Sequence, residues 1–209
     1  MNSKTVLFLH GFLSSSNSVK ARFFKKKFEK APDIKFHAFE FNPTPADFKY
    51  MTITGMINKV RQFLIQLKSP DIRIIGSSLG SLTGIHYAHR FGGVKKLLLL
   101  SPLLTYGEEY GVPGWQEQGE LDGEHFNFGK IPLRYDFHKD GLQYVNPVPP
   151  SSEFMIIHGR RDETIPIVKS RQYADEHPEK IGLVEMDSDH TLNDRLDETW
   201  GYVKSFLLK

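Results

Sequence analysis

The chain has 209 residues, 25% of them charged, a net charge of +2 and no cysteine. That length carries one α/β domain with a sizeable core, and the near-neutral balance argues against a nucleic-acid binder or a disordered tail. The absence of thiols excludes disulfides, thiolate metal sites and a cysteine nucleophile. No apolar run approaches the roughly 20 residues of a membrane span. The run Val6 to Leu9 is too short for a signal-peptide core, so a soluble cytoplasmic protein is the expectation.

Thr5 to Leu9 reads as a buried strand that stops at His10-Gly11-Phe12-Leu13, before a serine-rich loop. Val19 to Lys30 reads as a helix, with Val19, Phe23, Phe24 and Phe28 inward and Lys20, Lys25, Lys26 and Lys30 largely on a solvated outer face. Ile34 to Phe41 alternates as a strand near a sheet edge, and Asn42-Pro43-Thr44-Pro45 breaks it into a loop. Thr52 caps a helix to about Lys68 that buries Ile53, Met56, Ile57, Val60, Phe63, Leu64 and Leu67. The β-branched run Ile72 to Ile75 then meets Gly76-Ser77-Ser78-Leu79-Gly80 and a helix ending at Gly92-Gly93. Val94 to Leu100 is another strand.

Leu103 to Pro150 has no clear period and is rich in Gly, Pro, aromatic and acidic residues. It leaves the end of a strand, so it reads as a small cap-like insertion over a site. Phe154 to His158 is a strand ending at Gly159-Arg160-Arg161-Asp162, and Pro166 opens a helix to about His177. Ile181 to Met186 is the last strand, ending Asp187-Ser188-Asp189-His190. Leu192 to Leu208 closes the chain as a helix. Strands alternating with helices throughout predict one domain over residues 1–209, built on a mostly parallel sheet of about six strands with helices on both faces.

Strand, sharp turn, serine, helix is the context of a nucleophile elbow. The turn must hold Ser78 in a strained backbone so that its hydroxyl stands clear. Gly76 and Gly80 leave room where helix and strand cross. In an open parallel sheet, functional residues gather at the carboxyl ends of strands. Four such ends here carry His10-Gly11-Phe12, Ser78, Asp162 and His190, the last three in the order nucleophile, acid, base.

On these pieces, together with Ile165-Pro166 and Ser188-Asp189-His190, the chain resembles the α/β-hydrolase superfamily, and within it the short bacterial serine esterases with a reduced cap. The resemblance runs from Val6 to the final helix. It departs at Ser81, where many members have a further glycine, and tighter packing against the preceding strand is expected there. Chemistry supplies the roles. Ser78 needs a base, His190 takes and returns its proton, and Asp162 holds the imidazole tautomer and stabilises the imidazolium. The backbone N–H of Leu79 is one oxyanion donor; that of Phe12 resembles the family's second.

Each role has a rival. Ser77 lies one place early in the motif, and Glu163 competes with Asp162. Asp189 adjoins His190, where neighbouring extended side chains point apart. His10 reads as structural, supporting the oxyanion loop, and His158 as a packing or hydrogen-bonding residue. His86 and His89 lack an accompanying carboxylate motif and read as helix packing, so no metal or cofactor is expected. Phe12, Leu13 and Leu79 with cap aromatics such as Trp115 would form an apolar acyl pocket. The expected activity is cleavage of a small-molecule carboxylic ester through an acyl-enzyme. An acyl thioesterase uses the same machinery, and a non-catalytic ligand- or partner-binding scaffold is the reading from another class. Oligomeric state stays open.

Overall fold

The apolar runs become strands and the amphipathic runs become the helices that cover them. The computed structural model describes residues 4–107, 125–128, 131–145 and 147–209. The strands are β1 (Lys4–Leu9), β2 (Ile34–Phe39), β3 (Ile72–Ser77), β4 (Val94–Leu100), β5 (His125–Phe128), β6 (Ile131–Arg134), β7 (Glu153–Gly159) and β8 (Ile181–Met186). The helices are α1 (Val19–Phe28), α2 (Pro45–Lys49), α3 (Ile53–Leu67), α4 (Leu79–Phe91), α5 (Asp136–Gly141), α6 (Val168–Glu176) and α7 (Leu196–Leu207). Six strands form one parallel sheet in the order β2-β1-β3-β4-β7-β8, and β5 and β6 pair as a separate antiparallel hairpin.

Period-two alternation sorts the core onto two faces. Leu7, Leu9, Ile74, Leu97, Leu99 and Ile156 point to the side covered by α3, α4 and α6. Val6, Phe8, Ile75, Leu98, Leu100 and Ile157 point to the side covered by α1 and α7. Strands buried on both faces must be apolar at nearly every position, and these are. The chain runs outward from β1 to the edge strand β2, then crosses back to place β3 on the other side of β1. The carboxyl ends of β1 and β3 therefore flank the point where the strand order reverses, which is where such sheets leave a crevice.

Several boundaries differ from the sequence reading. β2 stops at Phe39, two residues before Phe41. The stretch read as a loop contains α2, which Thr44 and Asp47 start with a reciprocal capping box. The helix expected from Pro166 begins at Val168, and the closing helix begins at Leu196 after a 3₁₀ turn over Asn193–Arg195. Leu192 holds left-handed backbone at φ 54, which no continuous α-helix admits. Val19, expected inward, is 48% exposed because it is the first helical residue, ahead of the turn that meets the sheet.

Within the insertion, α5 is tied to the start of α3. Asp140 accepts from Thr54 N at 2.8 Å and from Thr54 Oγ1 at 2.5 Å, placing a carboxylate against a helix N-terminus. Residues 108–124 of the expected cap, including Trp115, lie outside the described residues. Among the described residues, no helix is long and apolar enough to cross a membrane.

Candidate active site

The parallel register brings Leu9 level with Gly76, Ser77 level with Leu100, and Gly159 level with Met186. The chain segments that follow all emerge on one edge. Ser78 links β3 to α4 at φ 52 and ψ −120, a conformation that costs about 1–3 kcal/mol for a residue with a side chain. Hydrogen bonds hold it there. Ser78 N donates to Leu100 O at 3.0 Å, and Ser78 O accepts from Ser81 N at 2.9 Å and from Leu103 N at 3.2 Å. Gly80 is required by close approach, since a Cβ there would lie 2.3 Å from Leu9 O. A Cβ on Gly76 would lie 2.6 Å from Ser81 Cα, so the small residue at 81 sits against the strand as the sequence suggests. The Ser81 hydroxyl is fully buried and finds no hydrogen-bond partner among the described residues.

Three side chains from three strand ends meet in one line. His190 Nε2 lies 3.1 Å from Ser78 Oγ, and His190 Nδ1 lies 2.7 Å from Asp162 Oδ2. Charges and geometry assign the protons. An ionised carboxylate only accepts, so Nδ1 carries the hydrogen and Nε2 is left to accept from the Ser78 hydroxyl.

The acid end is enclosed. Asp162 Oδ1 accepts from Thr164 N at 2.9 Å and Ile165 N at 2.8 Å. Oδ2 accepts from His158 Nε2 at 3.0 Å as well as from His190. His158 Nε2 also faces Ile165 O at 3.0 Å, so both its neighbours are acceptors and Nε2 must carry the proton. His158 Nδ1 then accepts from Ser170 Oγ at 2.8 Å. Burial alone would raise the Asp162 pKa. The bonds from His158, His190 and Ile165 and the charge of His190 outweigh it and hold the carboxyl well below the usual range. The loop carrying His190 crosses directly over Gly159, where a Cβ would meet Asp189 O at 2.4 Å.

The loop after β1 completes the site. A Cβ on Gly11 would lie 3.0 Å from Ser78 Cβ, so this loop packs against the serine turn. His10 is buried, and its Nδ1 donates to Gly11 O at 2.9 Å. In a planar trans peptide the N–H of the next residue points opposite to that carbonyl. Fixing Gly11 O therefore fixes the direction of the Phe12 N–H. With Nδ1 the donor, Nε2 accepts from Phe41 N at 3.3 Å; Glu40 Oε1 lies 3.1 Å from Nε2, and Glu40 Oε2 accepts from Ser16 N and Oγ. Leu79 is the first residue of α4, where the backbone N–H has no intrahelical acceptor.

Beside Ser78 and His190 opens a cavity of about 280 Å³ whose lining includes Phe12, Ser18, Lys20 and Asn193. Leu13 and Leu79, expected to line an acyl pocket, are not among the residues lining this cavity. Leu13 is 54% exposed at φ 50, and Leu79 is buried in the core against α4's neighbours. Glu163 is exposed, away from the line, and Asp189 accepts from Thr191 N and Oγ1. His86 is half-buried with its edge on Tyr144, while His89 is exposed. Burial, then the charges of Arg90 and His89, lowers His86 to about 4. From the sequence, His158 reads only as a packing or hydrogen-bonding residue and Lys20 as an outer-face lysine, and neither is assigned to the site. The spacing of His158 four residues before Asp162 was the available signal for the first. For the second there was none, because its neighbour Thr191 is remote in the chain.

The family model of the uncharacterised protein family UPF0227 matches residues 5–207, and the chain belongs to that family. The mitochondrial palmitoyl-protein thioesterase ABHD10 of Mus musculus is 23% identical over 212 residues, spanning 92% of this chain and 70% of the relative. The structure of mouse alpha/beta hydrolase domain-containing protein 10 superposes with a TM-score of 0.79 at 21% identity, covering 97% of this chain and 89% of that one. Est1E from Butyrivibrio proteoclasticus, with ferulic acid bound, gives a TM-score of 0.82 at 18% identity, covering 99% and 89%. The fold is that of the α/β-hydrolase superfamily.

Proposed function

We propose that this UPF0227 member is a serine hydrolase that cleaves a carboxylic ester or thioester through an acyl-enzyme. The observation that carries the reading is the unbroken line from Ser78 Oγ to His190 to Asp162, at 3.1 and 2.7 Å, on a strained elbow. His190 takes the Ser78 proton as Oγ attacks the acyl carbon. The oxyanion that forms is met by the N–H groups of Leu79 and Phe12. His190 then protonates the departing alcohol or thiol. Water, deprotonated by the same imidazole, attacks the acyl carbon and releases the acid and free Ser78. Asp162, held ionised, keeps the Nδ1 proton in place and offsets the charge of the imidazolium.

Two features support a shielded acyl site. Phe12 packs between Phe48 and Phe137, at ring distances of 5.5 and 5.8 Å, so the insertion over residues 103–150 reaches the oxyanion loop as a cover would. One relative is named a palmitoyl-protein thioesterase and Est1E holds ferulic acid, both compatible with an acyl substrate.

A fluorophosphonate probe tests the reading directly. One label at Ser78, lost in Ser78→Ala, is the expected result. Folded protein that takes no label and turns over no acyl ester would instead favour a binding scaffold. Matched oxygen-ester and thioester substrates then separate esterase from thioesterase.

A further inference from the structure

The cavity beside Ser78 is of mixed character, with Phe8, Phe12 and Val19 among its lining residues beside polar ones and one lysine. The polar part is Lys20 with Ser14, Ser18, Thr191 and Asn193, and among the described residues no carboxylate lines it. The Lys20 ammonium donates to Thr191 O at 2.6 Å, which leaves two of its three hydrogens for another acceptor. Ser18 is the N-cap of α1, and Val19 and Lys20 are its first two residues. The N–H groups of a first helical turn have no intrahelical acceptors, and the helix dipole there favours an anion. Ammonium and helix end thus converge on the cavity that also holds the reactive hydroxyl. Burial lowers Lys20 to about 8 against the opposing pull of Asp189 and Asp162, so the amine is still mostly charged at neutral pH. Both carboxylates are otherwise occupied, Asp189 by Thr191 and Asp162 by its two imidazoles.

We propose that this cavity is a carboxylate-binding subsite, and that the substrate is an acyl ester or thioester bearing a carboxylate within the cavity's reach of the scissile carbonyl. Lys20 is the residue that determines this specificity. One formal positive charge matches a monoanionic carboxylate better than a phosphate dianion. The inference rests on the serine-hydrolase reading above, because the cavity gains meaning from the bond cleaved at its mouth.

Two substrate pairs test it, one for each half of the ester. Mono-para-nitrophenyl glutarate against para-nitrophenyl valerate places the carboxylate on the acyl half. Para-carboxyphenyl valerate against para-tolyl valerate places it on the alcohol half. The wild-type protein should favour the charged member of one pair about tenfold in kcat/KM, the size of one charge-assisted hydrogen bond. In Lys20→Met that ratio should fall to near one, and in Lys20→Arg part of it should remain. The ratio is the readout because Lys20 also ties α1 to the residue after His190, and loss of that tie alone would slow both members of a pair alike. A ratio of one for both pairs in the wild type, or an unchanged ratio in Lys20→Met, overturns the proposal. If the neutral valerates are hydrolysed at Ser78 without any charge preference, the subsite fails and the hydrolase reading stands. If no ester is hydrolysed and no probe reacts, both fail.

Discussion

The two ends of the line from Asp162 to Ser78 are built on opposite plans. At the acid end the carboxylate accepts from two backbone N–H groups and two imidazoles, and its side chain is fully buried. At the serine end the hydroxyl has His190 as its hydrogen-bond partner, is partly exposed, and faces an open cavity. The acid is needed in one charge state and one position throughout turnover, so saturating its lone pairs does no harm. The serine must change partners, and bonds that held it would oppose its attack. Hydrogen bonds to its backbone, rather than to its side chain, hold the strained turn in place.

The largest test of that contrast is at the open end. Ser78→Ala should lower ester turnover by on the order of 10⁶-fold. Ser78→Gly should be equally inactive yet more stable than Ser78→Ala, since glycine accepts positive φ without strain. Thermal denaturation of the pair would measure the strain held at the elbow. Equal stabilities would mean that the surroundings do not force the conformation.

At the closed end, Asp162→Asn should cost on the order of 10⁴-fold in kcat, because an amide presents the wrong atoms to the imidazole. It should also lower stability, unlike the serine changes. The folded pKa of Asp162 is depressed, so its stabilising contribution is complete above the ordinary carboxylate value of about 3.9. The contribution is lost as pH falls from there through the lower folded value. Denaturant melts of wild type and Asp162→Asn should therefore differ most near neutrality and converge in acid.

Removing one supporting bond gives a smaller effect. His158→Ala should lower kcat about tenfold, the scale of one hydrogen bond to a charged group. His158 is a positioning residue, so the acid limb of the pH–rate profile should move upward as Asp162 loses a donor. A fall in activity with an unmoved profile would reduce His158 to packing. The smallest change lies outside both ends. Asp140→Ala removes the carboxylate from the start of α3 and should cost about 1 kcal/mol in denaturant unfolding, with ester turnover retained.

Much of this architecture is legible along the chain because each strand of the sheet is an apolar run closed by a turn residue. The turns after β1, β3, β7 and β8 carry the residues that converge. Helix α3 was equally plain, since Thr52 caps it and Ile53, Met56, Ile57, Val60 and Leu64 are buried as their spacing requires. Helix α2 carries a readable capping box, Thr44 with Asp47, but Pro43 and Pro45 give the same stretch the pattern of a break. The insertion resisted reading for a different reason. Its described part is held by unlike partners, Asp140 on Thr54 and Tyr106 on His138, which follow no period.

By itself the sequence determined the six strands of the sheet, the main helices between them and the positions where those strands end, because hydrophobic period reports burial within a single element. Only the tertiary structure decided which polar groups meet. Lys20 bonds to Thr191 across 171 positions, His10 to Phe41 across 31, and His158 shares Asp162 with His190. Hydrogen-bond donors and acceptors are interchangeable in a sequence, and they acquire particular partners only when packing removes water and leaves one neighbour within reach.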